Sequence, residues 1–386
     1  MSMTQLSARF AIFGVLCLAP FSVVAGEPSA NEAPNATARS VLAYTPPAGT
    51  PEAHDIDIKV NGKPVFIVFR DKQSAGRKMF RTAERSPARN TDWFRDAKYG
   101  VFMHFLPGDA KSLALVDEFD AESLAQQVQS LGAKYFVITL GQNSGYFNSP
   151  NGAYDKITGY APGERCSVRD LPLALHKALA PKGIRLMLYL PCQTPNEDAR
   201  AQKAFGLPEG AKDQPLDIPF AKRWAEVIRE WSDRYGDKVA GWWFDGGYEH
   251  VRFNETIART YADAAKHGHP HAIVTFNPGV KLIHYTAAED YTAGELNEAF
   301  GVVPKSRRLN GSQWHALTYL GHSWAERDTR YPAASWAAWV KSVIAREGVV
   351  TLGMGPNYDA KFGPIGALSE PQVKQVMAIK AALEPP

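Results

Sequence analysis

The chain has 386 residues and a net charge of +3, with acidic and basic residues mixed along its length. A charge this small and dispersed gives no argument for binding nucleic acid or an anionic membrane. Aromatic residues make up 11% of the chain, and nine residues are tryptophan. This composition permits a carbohydrate site, but it is also ordinary for a hydrophobic core.

The N-terminal segment has the features of a secretory signal peptide. Residues 1–9 are mostly polar and end in a cation, residues 10–24 form an apolar run, and Ala25 precedes a plausible cleavage position. The apolar run is too short to span a bilayer comfortably, although an N-terminal membrane anchor is the alternative interpretation. We therefore predict a signal peptide at residues 1–25, a secreted or periplasmic protein, and no membrane association of the mature form.

Two cysteines, Cys166 and Cys192, remain after export. An oxidising compartment permits one disulfide between them, and the sequence leaves that pairing open. The cysteines and histidines do not have the spacing of a zinc site. We predict no metal and no organic cofactor.

The segments that follow the signal peptide differ in composition. Residues 26–51 are rich in Ala, Pro, Ser and Thr, which predicts a disordered tether. Residues 55–60 and 64–69 alternate in polarity around Asn61-Gly62, a pattern that predicts a small β-hairpin. We assign residues 52–90 to this hairpin and an irregular connection.

Residues 91–386 read as one catalytic domain of alternating strands and helices. The predicted strands are 99–105, 134–140, 184–190, 239–244, 272–276, 316–320 and 349–354, and the predicted helices are 120–131, 171–182, 219–235, 254–267, 332–346 and 369–383. Repeated strand–helix units indicate a parallel sheet. A strand count near eight over this length favours a (β/α)8 TIM-type barrel over an open doubly wound sheet. No glycine-rich phosphate-binding motif follows a strand, so the nucleotide-binding form of the open sheet has no support.

We expect reactive groups where strands end, because loops converge at the C-terminal edge of a barrel sheet. The polar side chains at or just after predicted strand ends are His104, Gln142, Asn143, Tyr146, Cys192, Gln193, Asp245 and Asn277.

The segment Gly241-Trp-Trp-Phe-Asp-Gly-Gly-Tyr248 is the most informative. A carboxylate emerges from an apolar strand into two glycines, which leave room for a ligand to approach. The alternative is an aspartate that caps the next turn. Glycosidic bond cleavage needs a second carboxylate, which residues 289–295 can supply. The residues alone therefore predict a two-carboxylate hydrolase, with the distance between the carboxylates left open.

Five segments together resemble the catalytic domain of glycoside hydrolase family 29, the α-L-fucosidases. Residues 93–104 resemble W-F-x-x-A-K-F-G-I-F-I-H-W-G, and residues 120–139 resemble F-D-A-x-x-W-x-x-x-A-K-x-A-G-A-K-Y-x-V-L-T. Residues 243–246 are similar to W-F-D-G, residues 290–295 to D-Y-x-T-P-E, and residues 349–355 to L-L-L-N-I-G-P.

The resemblance implies a role for each candidate. Asp245 matches the nucleophile and Glu295 the acid/base of part of the family, with Glu249, Glu289 and Glu298 as the alternatives for the acid/base. The implied substrate-binding residues are His104, Gln142, Asn143, Tyr146, Trp243 and Trp324.

The chain departs from the family pattern in three places. The family's K-H-H-D-G-F is replaced by residues 141–146, so two sugar-binding histidines are missing. Phe105 and Leu106 replace a tryptophan and a glycine. We also expect no C-terminal β-sandwich after the last helix.

The sequence therefore predicts a secreted retaining exo-glycoside hydrolase that acts on α-L-fucosides or a related sugar in an oligosaccharide or glycoconjugate. Two alternatives remain: a glycosidase with another sugar specificity, and a carbohydrate-binding pseudoenzyme without turnover, which the missing histidines motivate.

Overall fold

The computed structural model describes residues 56–60, 63–65, 89–208 and 214–384. The predicted signal peptide and tether lie outside the described residues. None of the described helices is long and apolar enough to cross a membrane.

The elements are numbered here in chain order. The strands are β1 (Ile56–Val60), β2 (Lys63–Val65), β3 (Tyr99–Met103), β4 (Tyr135–Thr139), β5 (Arg185–Pro191), β6 (Val239–Asp245), β7 (Ile273–Phe276), β8 (Val303–Pro304), β9 (Arg308–Leu309), β10 (Ser312–Gln313), β11 (His315–Tyr319) and β12 (Val349–Met354). The α-helices are α1 (Asp92–Ala97), α2 (Ala110–Leu113), α3 (Leu115–Glu118), α4 (Ala121–Ser130), α5 (Gly152–Thr158), α6 (Leu171–Leu179), α7 (Ala199–Ala204), α8 (Ile218–Tyr235), α9 (Glu255–Ala265), α10 (Ala333–Ile344) and α11 (Glu370–Leu383). Short 3₁₀ turns lie at Arg89–Thr91, Ala180–Lys182, Gly236–Lys238 and Ala360–Phe362.

The main sheet is all parallel, with strand order β11-β12-β3-β4-β5-β6-β7. Its strands are almost entirely buried. A parallel sheet that is covered on both faces needs apolar residues at successive positions, and this is why these strands read as continuous apolar runs. The predicted α/β class with a parallel sheet is confirmed.

Side chains from non-neighbouring strands meet on the inner face of this sheet. Phe102 of β3, Met187 of β5, Trp243 of β6 and Leu317 of β11 belong to one buried apolar cluster. Strands that are several positions apart can share a cluster only if the sheet curls. Phe94 of α1 belongs to the same cluster and covers one end of it.

Helices pack against the outer face of the curled sheet, and several of them begin at side-chain caps. Asp120 caps α4 by accepting a hydrogen bond from the backbone N–H of Ser123 at 2.9 Å. Asp217 caps α8 in the same way, through the N–H of Phe220 at 2.7 Å. The long α8 buries Trp224 in the outer core.

Residues 290–296 run between the two edges of the sheet without forming a regular strand. The N–H of Asp290 donates to the carbonyl of Val274 in β7 at 2.8 Å, and the N–H of Leu296 donates to Leu317 in β11 at 2.8 Å. Gly294 lies between them with φ +59°. A Cβ at this position would lie 2.0 Å from the carbonyl oxygen of His315. Only glycine fits, and its left-handed backbone interrupts the ladder.

β1 pairs antiparallel with β2 on one side and with β8 on the other.

Cys166 and Cys192 are both buried free thiols, so the disulfide that the sequence left open is not formed.

Candidate active site

Asp245 is the last residue of β6, and its carboxylate is held by three donors. The Tyr189 hydroxyl donates to Oδ2 at 2.5 Å, while the Asn277 amide and the Gly246 N–H each donate to Oδ1 at 2.8 Å. Gly246 has φ +74°, which turns the chain sharply away from the strand end. Hydrogen bonds from three donors fix the orientation of this carboxylate.

Asn277, the first residue after β7, connects Asp245 to the second carboxylate. Its Nδ2 donates to Glu295 at 2.5 Å as well as to Asp245 at 2.8 Å. The two carboxylate oxygens therefore lie no farther apart than the sum of these distances, about 5.3 Å. The structure thus brings the two predicted catalytic carboxylates together.

The surroundings of Glu295 favour its protonated form. Burial, and then the negative charge of Asp245, raise the pKa of Glu295 to about 7. Hydrogen bonds from Asn277 and Trp324 act in the opposite direction. A carboxyl group with this pKa can both give and take a proton near neutral pH.

His104 follows β3 and lies among aromatic rings. Its ring centroid is 4.3 Å from that of Phe102, 5.2 Å from Trp324 and 5.5 Å from Tyr189. Burial lowers the pKa of His104 to about 3, so the imidazole is neutral. A neutral imidazole offers one donor and one acceptor, which suits a sugar hydroxyl.

The two predicted tryptophans occupy different places. Trp324 is half-buried and contacts both His104 and Glu295. Trp243 is buried on the inner face of the sheet, stacks on Tyr189 at 5.4 Å, and donates its indole N–H to the carbonyl of Ala293 at 3.2 Å. Trp243 is therefore connected to Asp245 indirectly: it stacks on Tyr189, which donates to Asp245.

The loop after β4 carries the three residues that replace part of the family's histidine motif. Gln142 donates its amide to the Tyr189 hydroxyl at 2.6 Å. Asn143 is exposed, and its carbonyl accepts from the N–H of Glu197. Tyr146 is half-buried, with the Arg165 guanidinium 4.3 Å above its ring. Of these three, Gln142 contacts the group that surrounds Asp245.

The alternative acid/base residues lie in other surroundings. Glu289 is fully buried and accepts from the N–H of Tyr285, close to His284. Glu298 is exposed and accepts from the Tyr331 hydroxyl at 2.6 Å. The third alternative, Glu249, is exposed. In the described structure Glu295, and none of these three residues, shares the Asn277 donor with Asp245.

Sequence reasoning missed Tyr189 and left Asn277 without a role. Tyr189 lies inside β5 rather than after it, so a search of strand ends passes over it. The period of two along the strand places Tyr189 on the same face as Met187, and both belong to the inner cluster. The sequence signal that could have identified Tyr189 as a site residue is a tyrosine on the inner face of the sheet, two residues before the end of β5.

Comparison with known proteins gives a consistent fold assignment. Two endo-fucoidan hydrolases of glycoside hydrolase family 107 match with TM-scores of 0.59 and 0.60, each at 16% identity and over 77% of this chain. The chain spans only 54% and 64% of their lengths. A bacterial fucosidase with a monovalent iminocyclitol inhibitor matches with a TM-score of 0.54, at 18% identity, over 77% of this chain and 74% of that chain. At these identities the likeness concerns the fold.

Sequence comparison is more specific. No curated protein sequence matches the chain. A sequence profile described as Alpha-L-fucosidase matches residues 109–374, which is about two thirds of the chain. On this match, the chain belongs to the α-L-fucosidase family.

Proposed function

We propose that the protein is a secreted, retaining exo-glycoside hydrolase of α-L-fucosides or a closely related sugar, with Asp245 as nucleophile and Glu295 as acid/base. The observation that carries this proposal is that one Asn277 nitrogen donates to both carboxylates, which places one oxygen of each within about 5.3 Å of the other. Retaining glycosidases hold their carboxyl groups about 5–5.5 Å apart, whereas inverting enzymes need roughly 6.5–9.5 Å to admit a water molecule.

The first step forms a covalent intermediate. An oxygen of the Asp245 carboxylate attacks the anomeric carbon, the glycosidic bond breaks, and Glu295 gives its proton to the leaving oxygen. The other oxygen of Asp245 keeps hydrogen-bond donors after the ester forms, because donors contact both Oδ1 and Oδ2.

The second step reverses the role of Glu295. Once Asp245 is an ester, it no longer carries the negative charge that helps to raise the pKa of Glu295. Glu295 is then the stronger acid and remains ionised, so it can take a proton from water. That water attacks the anomeric carbon and releases Asp245 as a carboxylate. The charge of Asp245 thus favours protonated Glu295, the acid, in the first step. Its loss in the ester favours ionised Glu295, the base, in the second step.

Family membership and the fold neighbours support a fucose-containing substrate. The matched profile is that of α-L-fucosidases, and the neighbours include a fucosidase and endo-fucoidan hydrolases. Neutral His104 supplies a partner for a sugar hydroxyl, and the ring of half-buried Trp324 supplies an apolar surface. Secretion is proposed from the signal peptide pattern of residues 1–25.

The same proposal extends to the barrel. Residues 290–296 bridge the edges β7 and β11, so they take the eighth position of a closed (β/α)8 barrel. Glu295 then projects from a strand end, as Asp245 does.

The test is hydrolysis of p-nitrophenyl α-L-fucoside and the corresponding galactosides. Wild type is compared with Asp245→Asn and with Asp263→Asn, an exposed aspartate on α9 that serves as a matched control. We expect turnover by wild type and the control, loss in Asp245→Asn, and a first-formed product with the α configuration by proton NMR. An inverted first product, or full turnover by Asp245→Asn, contradicts the mechanism. If the protein hydrolyses only a galactoside, the proposed mechanism stands and the proposed sugar specificity is wrong.

A further inference from the structure

Tyr189 is held by its ring and by its hydroxyl group. The ring lies between two aromatic neighbours, 5.6 Å from Phe102 at 27° and 5.4 Å from Trp243 at 16°. The side chain is 1% exposed. Stacking against these two rings fixes the position of the Tyr189 ring. The direction of the hydroxyl hydrogen then depends on the hydrogen bonds that the hydroxyl group makes.

The hydrogen bonds at this hydroxyl have only one consistent direction. Tyrosine has a single hydroxyl hydrogen, and Tyr189 gives it to Asp245 at 2.5 Å. The Tyr189 oxygen can then only accept from Gln142, whose amide nitrogen is a donor without acceptor capacity. A carbonyl oxygen in the place of that nitrogen would compete with Asp245 for the same hydrogen. Burial and the charge of Asp245 raise the pKa of Tyr189, so the hydroxyl keeps its hydrogen.

The loop that carries Gln142 is itself fixed. Gly141 forms an antiparallel bridge with Phe147, so the loop is closed at its base. The Ser144 hydroxyl donates to the carbonyl of Pro107 at 2.6 Å, which ties the loop to the segment after β3. The Gln142 amide is therefore placed before any substrate binds.

We propose that Gln142 is a positioning residue that acts through Tyr189 and directs the tyrosine hydrogen toward Asp245. This inference rests on the proposed role of Asp245 as nucleophile. It differs from the role that the sequence implied, in which Gln142 binds the sugar. The glutamine stands in the family's histidine motif, yet its amide is used within the protein.

The direction of the hydrogen bond predicts different effects for two substitutions of similar size. Gln142→Leu removes the donor and leaves the Tyr189 hydroxyl free to rotate. Gln142→Glu places an acceptor at the same point, which draws the tyrosine hydrogen away from Asp245. We therefore expect Gln142→Glu to be less active than Gln142→Leu.

The decisive experiment is a double-mutant cycle of Gln142→Leu and Tyr189→Phe, followed by kcat and KM on an aryl α-L-fucoside. We expect Gln142→Leu to lower kcat about tenfold with less than about a twofold change in KM. In the Tyr189→Phe background the same substitution should change kcat less than about twofold, because the hydroxyl on which it acts is absent. Gln129→Leu, at an exposed glutamine on α4, is the matched control.

The opposite pattern overturns the inference. If Gln142 binds sugar, Gln142→Leu raises KM by the same factor in both backgrounds, and the losses multiply. Gln142→Glu with wild-type kcat would also contradict it.

A second cycle on the same variants uses the denaturant midpoint of unfolding and needs no turnover. Gln142→Leu should lower the midpoint in wild type but not in Tyr189→Phe. Equal shifts in both backgrounds show that the two side chains are uncoupled. Failure of wild type on every glycoside overturns the proposed function, whereas the unfolding cycle decides the Gln142–Tyr189 contact independently.

Discussion

The side-chain amide nitrogen of Asn277 lies 2.5 Å from a carboxylate oxygen of Glu295. The same nitrogen lies 2.8 Å from Asp245, so each of its two hydrogens is directed at a different carboxylate. Two carboxylates this close repel each other, and a shared donor reduces that repulsion while it sets their separation. The geometry on which the proposed retaining mechanism depends is thus held by Asn277, the first residue after β7.

Replacement of Asn277 by Ala should lower kcat about 10- to 100-fold, because it removes a donor from both carboxylates at once. The Asn277 hydrogen bond lowers the pKa of Glu295, so its loss raises that pKa further. The basic limb of the pH–rate profile should therefore move above its wild-type position. A full pH profile of kcat/KM on a fucoside with a poor leaving group checks this. A variant with unchanged kcat and an unchanged basic limb would show that Asn277 is not part of the catalytic arrangement.

For the wild type acting on a substrate with a poor leaving group, kcat/KM should decrease on the alkaline side with a midpoint near pH 7. The pKa of Glu295 is raised to about 7, so the proton needed by the leaving group is lost as the pH rises through that value. Glu295→Gln should remove this limb and lower kcat/KM by about 100- to 1,000-fold for a poor leaving group. It should have a much smaller effect on a substrate with an activated leaving group, which needs no protonation. Equal losses on both substrates would rule out Glu295 as the acid.

The raised pKa of Glu295 also predicts how its replacement changes stability. A carboxyl group whose pKa is higher in the folded state is most favourable to folding at low pH. It costs stability as the pH rises from the unfolded value, near 4.5, through about 7. Glu295→Gln should therefore raise the free energy of unfolding at about pH 8, by an amount on the order of 1 kcal/mol, and change it little at about pH 5. Denaturant titrations at the two pH values test this; a variant that is less stable at about pH 8 contradicts it.

Most of the strands were predictable because a parallel sheet covered on both faces demands continuous apolar runs. The run predicted at residues 239–244 is β6 (Val239–Asp245), and the run predicted at 349–354 is β12. Residues 290–296 gave no such signal. They hold polar side chains and Gly294 in a left-handed conformation. They pair through isolated bridges with Gln313 of β10 and Leu317 of β11. Their place between β7 and β11 depends on tertiary hydrogen bonds.

The site was only partly predictable for a related reason. Asp245 stands out because a carboxylate follows an apolar strand and precedes two glycines. Gln142 and Tyr189 are 47 positions apart in the chain, and their hydrogen bond links the loop after β4 to the neighbouring strand β5. Each residue has an ordinary local explanation, as a loop amide and a core tyrosine. Only the register of β4 against β5 brings them together.

Gly141 offers a test of whether the Gln142 loop must be held in place. A Cβ at Gly141 would lie 2.6 Å from the ring of Phe147, closer than non-bonded carbons approach. The ring cannot retreat, because Phe147 is fully buried and packs 4.8 Å from Tyr154. Gly141→Ala should cost about 1–3 kcal/mol of stability and lower kcat, because the loop must shift and move Gln142 away from Tyr189.

The same substitution at Gly152 is the matched control. Gly152 begins α5, and a Cβ there would meet the Glu230 carboxylate at an ordinary 3.6 Å. Gly152→Ala should leave kcat unchanged and should be neutral to stabilising by about 0.5 kcal/mol, because alanine loses less backbone entropy in a helix. Thermal unfolding and kcat of the two variants, measured side by side, check both expectations. If Gly141→Ala melts and turns over like Gly152→Ala, the loop tolerates displacement and its fixed position does not matter for Gln142. A stable Gly141→Ala protein with reduced kcat would instead show that turnover depends on the position of this loop.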